Sequence, residues 1–228
     1  MSDDATLEAE LEALLGREWF DPPEEFVAGA LISDLSVHEA AERWEEQARE
    51  LDWFEPWQRA LEDEDAPFYR WFSGGKLNVS HNCLDRHVAA GLGDRVALHW
   101  HGEEGETRAI TYAELLADVQ RCANALKARG IGPGDVVGIY LPMIPEVVVA
   151  MLACTRIGAP HNVVFGGFSA ESVHERMAFS NASALITADG ARRKGRTAPV
   201  KSEVDREMGH LSHLETIMVV QHTGDLSG

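Results

Sequence analysis

The chain has 228 residues, 45% of them hydrophobic, and a formal net charge of −18 at pH 7. That length builds one good core with room for a small appended unit, and no apolar run reaches the roughly 18 residues of a membrane-spanning helix. So acidic a chain has no general attraction for nucleic acid or for anionic membranes, and neither is expected as a partner.

The charge is unevenly placed. Residues 1–66 hold 21 Asp and Glu against 4 Lys and Arg, whereas residues 67–228 hold 17 against 16. An acidic segment therefore precedes a balanced one. The opening MSDDATLEAELEALL lacks the basic-then-apolar order of a secretory signal. The three cysteines, Cys83, Cys122 and Cys154, are odd in number and far apart. A disulfide framework is not expected, and a reducing cytoplasm is the natural setting.

In chain order, Leu7, Leu11, Leu14 and Leu15 mark one face of a first helix. Ser36 with Glu39 forms a capping-box pattern, and Val37, Ala40, Ala41, Trp44 and Ala48 follow at helical spacing. Trp53, Phe54 and Trp57 are expected to pack. The stretch WFSGGKLNVSHNCLDRH, residues 71–87, brings His81, Cys83 and His87 close together. No fourth ligand stands at a suitable spacing and no general base adjoins Cys83, so neither a metal site nor a nucleophile is expected. The stretch reads as a junction. Trp71 and Phe72 anchor it, Gly74–Gly75 turn it, and Asn78 to Arg86 lead into a helix with Cys83 and Leu84 packed inward.

Further on, LDRHVAAGLGD predicts a helix closed by glycine, and RVALHWHGEEGETRAIT a β-hairpin with a charged turn. A helix follows from near Thr111, with Leu115, Val119, Cys122 and Leu126 on one face and Gly130 stopping it. VVGIYLP, HNVVFG, SALITAD and ETIMVVQH read as strands. The helices between them are PEVVVAMLACTRIG, SAESVHERMAFS and TAPVKSEVDREMGHL. Such alternation predicts an α/β fold, a mainly parallel sheet covered by helices, behind a helical N-terminal segment.

Ligands of open α/β sheets bind beyond the carboxyl ends of the strands. Two segments fall there. FGGFS, residues 165–169, offers aromatic faces, glycines that permit close approach, and Ser169 as a helix cap. ADGARRKGRTAP, residues 188–199, packs Arg192, Arg193, Lys194 and Arg196 into five positions. Guanidinium groups suit phosphate, so the two segments together form a candidate nucleotide-phosphate site. A capped turn and a solvated basic loop are the plainer alternatives. Phosphate-loop, dinucleotide, H-E-x-x-H and nucleophile-elbow motifs are absent from the sequence.

With WFSGGKLNVSHNCLDRH, GIYLPMIPEVVVAMLACTRIGA and HNVVFGGFS in view, the chain resembles the AMP-forming acetyl-coenzyme A synthetases, a family of acyl-adenylate-forming enzymes. The resemblance runs from about residue 20 to the end. It implies a reaction in which acetate and ATP give acetyl-adenylate and diphosphate, after which coenzyme A displaces AMP, with Mg2+ on the phosphates. It also implies that Phe165, Gly166, Gly167, Arg193 and Arg196, with Lys194 and Gly195 between the arginines, hold the nucleotide end of coenzyme A. It further implies an acidic N-terminal segment, 1–83, and the start of a ligase domain, 84–228. The family's ATP-phosphate loop, adenine motif and C-terminal catalytic lysine are not found in these residues. The chain is therefore expected to be an N-terminal fragment, inactive alone, with no catalytic residue to assign. A ligase for propionate or another short acid, and a non-catalytic binding or regulatory fragment, are the alternatives.

Overall fold

The computed structural model describes residues 22–29 and 37–224. The leucine-faced first helix and the Ser36 cap lie outside the described residues. By compactness the chain divides after Glu46. The first unit carries α1 (Glu24–Gly29) and the start of α2 (Val37–Ala48).

The second unit opens with an antiparallel ribbon, β1 (Arg59–Glu62) on β2 (Arg70–Ser73). Trp53, Trp57 and Phe72 cluster around it with ring centroids 4.8 to 5.7 Å apart, Trp57 edge-on to both of the others.

The 71–87 stretch then forms a polar joint. Asn82 is buried and satisfies the main chain of Asp52 twice: its Oδ1 accepts from the Asp52 N–H at 2.8 Å, and its Nδ2 donates to the Asp52 carbonyl at 3.0 Å. Asn78 donates to the carbonyls of Thr155 and Arg156. Arg86 donates to the carbonyls of Asn82 and Glu50. The helix here is irregular, with π-helical turns at His81–Asp85 and Val88–Leu92 and a left-handed Gly91. One expectation fails at this point. Leu84 is buried, but Cys83 is exposed. The wide turns break the 3.6-residue period, and the inward position goes to Asn82 because the Asp52 main chain needs its amide.

β3 (Val96–His101) and β4 (Thr107–Thr111) make the charged-turn hairpin. Thr111 caps α3 (Tyr112–Ala128) in a full capping box with Glu114. Leu115, Val119, Ala123 and Leu126 form its buried stripe, while Cys122 is half-buried at the edge.

Next come four parallel strands: β5 (Val137–Leu141), β6 (His161–Phe165), β7 (Ala184–Ala188) and β10 (Thr216–Val220), ordered β10-β7-β5-β6. α4 (Pro145–Ile157) starts on proline and ends on a left-handed Gly158, as the sequence predicts. It packs with α3 on one sheet face, over Val137, Ile139, Ala184 and Ile186. α5 (Ala170–Ser180) and α6 (Val200–Met208) belong to the core on the other face, with Tyr140, Val164 and Leu185. A Cβ on Gly138 would lie 2.1 Å from the Met177 sulfur, so the glycine lets the Met177 side chain of α5 lie directly against the strand. The result is a three-layer α/β/α unit with both faces of β5 and β7 buried.

Candidate functional site

From β5 the chain passes to β6 on one side, then crosses back to β7 on the other. That reversal is a switch point of the sheet, where the loops leaving the strand ends diverge and open a crevice. A cleft of about 340 Å³ lies there, lined by Pro142 and Met143 after β5, Phe165 to Gly167 after β6, Ala191 to Arg193 after β7, and His222 after β10.

The glycine pair is shaped by close approach, since neither residue has a left-handed φ. A Cβ on Gly166 would lie 2.8 Å from the Leu141 carbonyl oxygen, which is main chain and cannot swing aside. A Cβ on Gly167 would meet the Phe165 ring at 2.7 Å and the Arg193 Nη1 at 3.6 Å. Phe165 is 61% exposed and stands edge-on to Phe168. Phe168 also carries the Arg176 guanidinium over its ring, 5.1 Å from the centroid. Ser169 caps α5 through the Ser172 N–H, and the Tyr140 hydroxyl ties the Phe168 carbonyl at 2.7 Å.

The basic segment is a two-residue hairpin rather than an irregular loop. β8 (Ala191–Arg193) pairs with β9 (Arg196–Ala198), and Arg193 lies directly opposite Arg196. Lys194 and Gly195 form the turn, both at positive φ, 51° and 70°, a conformation that matches the strand twist. Of the expected site residues, Phe165, Gly166, Gly167 and Arg193 line the cleft, while Lys194, Gly195 and Arg196 stand at the hairpin tip outside its lining. Among the described residues, the side chains of Arg193, Lys194 and Arg196 make no ion pair with a carboxylate. Arg192 differs: it pairs with Glu104 in the β3–β4 turn. That bond pulls the Glu104 carboxyl below its usual range and raises the guanidinium.

Asp189 holds the main chain of His222, which lines the cleft. This buried carboxylate accepts N–H bonds from Gly190, His222, Thr223 and Gly224 at 2.7 to 3.1 Å. Burial pushes its pKa up, but the four main-chain donors outweigh burial and bring it down to about 2. The carboxylate thereby holds the turn after β10 against the end of β7.

Sequence reasoning did not place Trp100, Met143, Glu103, Glu106 or His222 at the cleft, nor Glu104 against Arg192. HGEEGE announces a charged turn, but nothing local says that it faces a basic hairpin 88 residues later. Among the described residues no group of three or more His, Cys, Asp or Glu side chains could hold a metal ion. No described helix is long and apolar enough to cross a membrane.

Parallel strands wound with helices on both faces, and an open cleft at the switch point, define a doubly wound α/β domain. The chain belongs to the AMP-binding enzyme family, which matches residues 85–228. The family described as acetyl-coenzyme A synthetase N-terminus matches residues 32–83. Curated relatives agree. An acetyl-coenzyme A synthetase of Rubrobacter xylanophilus is 49% identical over 212 residues, 90% of this chain and 33% of that protein. One from Burkholderia thailandensis and one from Burkholderia mallei are each 50% identical over 220 residues, 91% of this chain and 33% of theirs. The chain thus spans about a third of the length of the curated relatives it matches.

Proposed function

We propose that this chain is the N-terminal third of an acetate–coenzyme A ligase of the AMP-forming type, and that its cleft receives the phosphate-bearing nucleotide end of coenzyme A. The relatives' name supports the reaction. One arrangement supports the site. Arg193 and Arg196 oppose each other in register across a two-residue turn, and like charges so placed repel. An anion lying between them offsets that repulsion. Gly167, beside the Arg193 guanidinium, leaves main chain open for close approach. Phe165 and Phe168 offer flat faces for a base.

In the proposed reaction a carboxylate oxygen of acetate attacks the α-phosphorus of ATP, and the bond to diphosphate breaks. The coenzyme A thiol then gives up its proton and attacks the acyl carbon, and AMP leaves. This chain's residues bind and orient coenzyme A and make no bond to the reacting atoms. Mg2+ serves the ATP phosphates in this reading, and no step is routed through it on these residues. The family matches support a division into an acidic N-terminal segment, 1–83, and the start of a ligase domain, 84–228. Three unpaired cysteines suit a reducing cytoplasm.

The test uses the full-length ligase carrying this segment. Arg193→Ala or Arg196→Ala should raise the coenzyme A requirement about ten- to a hundredfold, the value of a charge-assisted phosphate contact. Acetate-dependent exchange of diphosphate into ATP should be unaffected. Equal loss of both activities would assign the arginines to ATP or to the fold instead.

A further inference from the structure

Four cations crowd the β8–β9 hairpin, and the carboxylates that face it come largely from one distant turn. Glu104 pairs with the Arg192 guanidinium, and Glu103 accepts the main-chain N–H of Lys194. Glu106 and Asp189 add their fields at Arg192. Lys194 is left-handed, which a residue with a side chain adopts only where its surroundings hold it. The bond to Glu103 is one such hold. Arg192 and Arg193 are adjacent in a strand, so their side chains leave opposite faces of the ribbon. Fixing Arg192 therefore fixes the face that Arg193 presents.

We propose that Glu103 and Glu104 are positioning residues that fasten the β8–β9 hairpin to the β3–β4 turn and so hold Arg193 at the cleft beside Gly167 before any ligand arrives. The fastening also divides the cations by role. Arg192 is neutralised as a strut, and Arg193 and Arg196 are left for an anion. What this means for coenzyme A rests on the function proposed above; the fastening itself does not.

Amide exchange in the ligand-free chain, read by NMR, decides it. Glu103→Gln keeps an acceptor but removes its charge. The Lys194 amide should then exchange about tenfold faster, the difference between a charge-assisted and a neutral hydrogen bond. Glu104→Gln should speed exchange along the hairpin by a similar factor, while core amides of α3 and α4 stay unchanged. Exchanging the pair, Glu104→Arg with Arg192→Glu, should bring the hairpin back toward the wild-type rate. Unchanged hairpin exchange in both glutamine variants would overturn the proposal. So would acceleration spread evenly over the whole chain, which would mark global destabilisation. A titration with coenzyme A separates the two ideas. If the variants loosen the hairpin but coenzyme A shifts neither the Gly167 nor the Arg193 resonance of the wild type, the fastening stands and the coenzyme A reading falls.

Discussion

Arg156 and Asp85 meet as a two-pronged pair, Nη1 to Oδ2 at 2.7 Å and Nη2 to Oδ1 at 2.8 Å, across 71 residues of chain. The pair binds the C-terminal end of α4 to the irregular helix, and the hydrogen bonds from Arg156 hold the Asp85 carboxyl below its usual range. Both side chains are about three-quarters covered, so solvent screens the pair less than an open surface bridge.

Asp85→Asn should therefore lower stability by about 1–3 kcal/mol, seen as a lower urea midpoint at pH 7. Arg156→Lys should fall in the same range, because a lysine cannot reproduce the planar two-pronged geometry. A lysine variant as stable as the wild type would show that charge alone matters there.

Asp189 predicts an acid dependence. Its folded pKa of about 2 lies below its ordinary value of 3.8. A depressed carboxyl stabilises the fold above the unfolded pKa, and the contribution is lost as pH falls from about 4 towards 2. Asp189→Asn should cost on the order of 2–3 kcal/mol at pH 7. The gap between wild type and variant should shrink steadily below pH 4. A gap that is constant from pH 7 to pH 2.5 would remove the carboxylate's charge from the account.

The two cleft glycines should respond differently. At Gly166 a methyl group meets main chain at 2.8 Å, so Gly166→Ala should destabilise by about 1–3 kcal/mol. At Gly167 it meets the exposed Phe165 ring, which can rotate away, so Gly167→Ala should leave the melting temperature nearly unchanged. Its effect should appear as weaker coenzyme A binding, because the added methyl and the displaced ring both occupy the approach to the main chain. Equal thermal shifts in the two variants would contradict this.

The thiols give a simple check. Cys83 is exposed, whereas Cys154 is fully buried and burial pushes its pKa up to about 12. Burial also raises Cys122. A thiol-reactive dye at pH 8 should label Cys83 rapidly and the other two only on unfolding. Fast labelling of Cys154 in the native chain would contradict the packing of α4 on the sheet.

The regular part of the fold is legible in the sequence because local and global signals agree there. VGIYL is apolar throughout because both faces of β5 are covered, and Pro145 and Gly158 mark the limits of α4 by their own backbone preferences. The irregular helix is not legible in the same way. Of its two buried residues, Leu84 follows the apolar pattern, but Asn82 is a polar residue that pairs with the main chain of Asp52, 30 residues away, and no periodicity announces such a partner. The candidate site divides along the same line. The glycines and the basic cluster stand out locally, but their neighbours Glu103 and Glu104 are defined by where the sheet carries the hairpin. The shape of the cluster was hidden for a related reason: Lys194 at positive φ carries no residue-type signal of the kind glycine gives.

That turn has one more consequence. Because Lys194–Gly195 is the whole connection between β8 and β9, the two residues separating Arg193 from Arg196 act as a ruler. Side chains alternate along each strand, so one extra residue would break the alignment of the two guanidinium groups or turn one of them to the far face. Inserting a single alanine after Gly195 should therefore damage anion binding more than replacing Thr197. At this corner of the protein, chain length carries the chemical information, and composition alone does not.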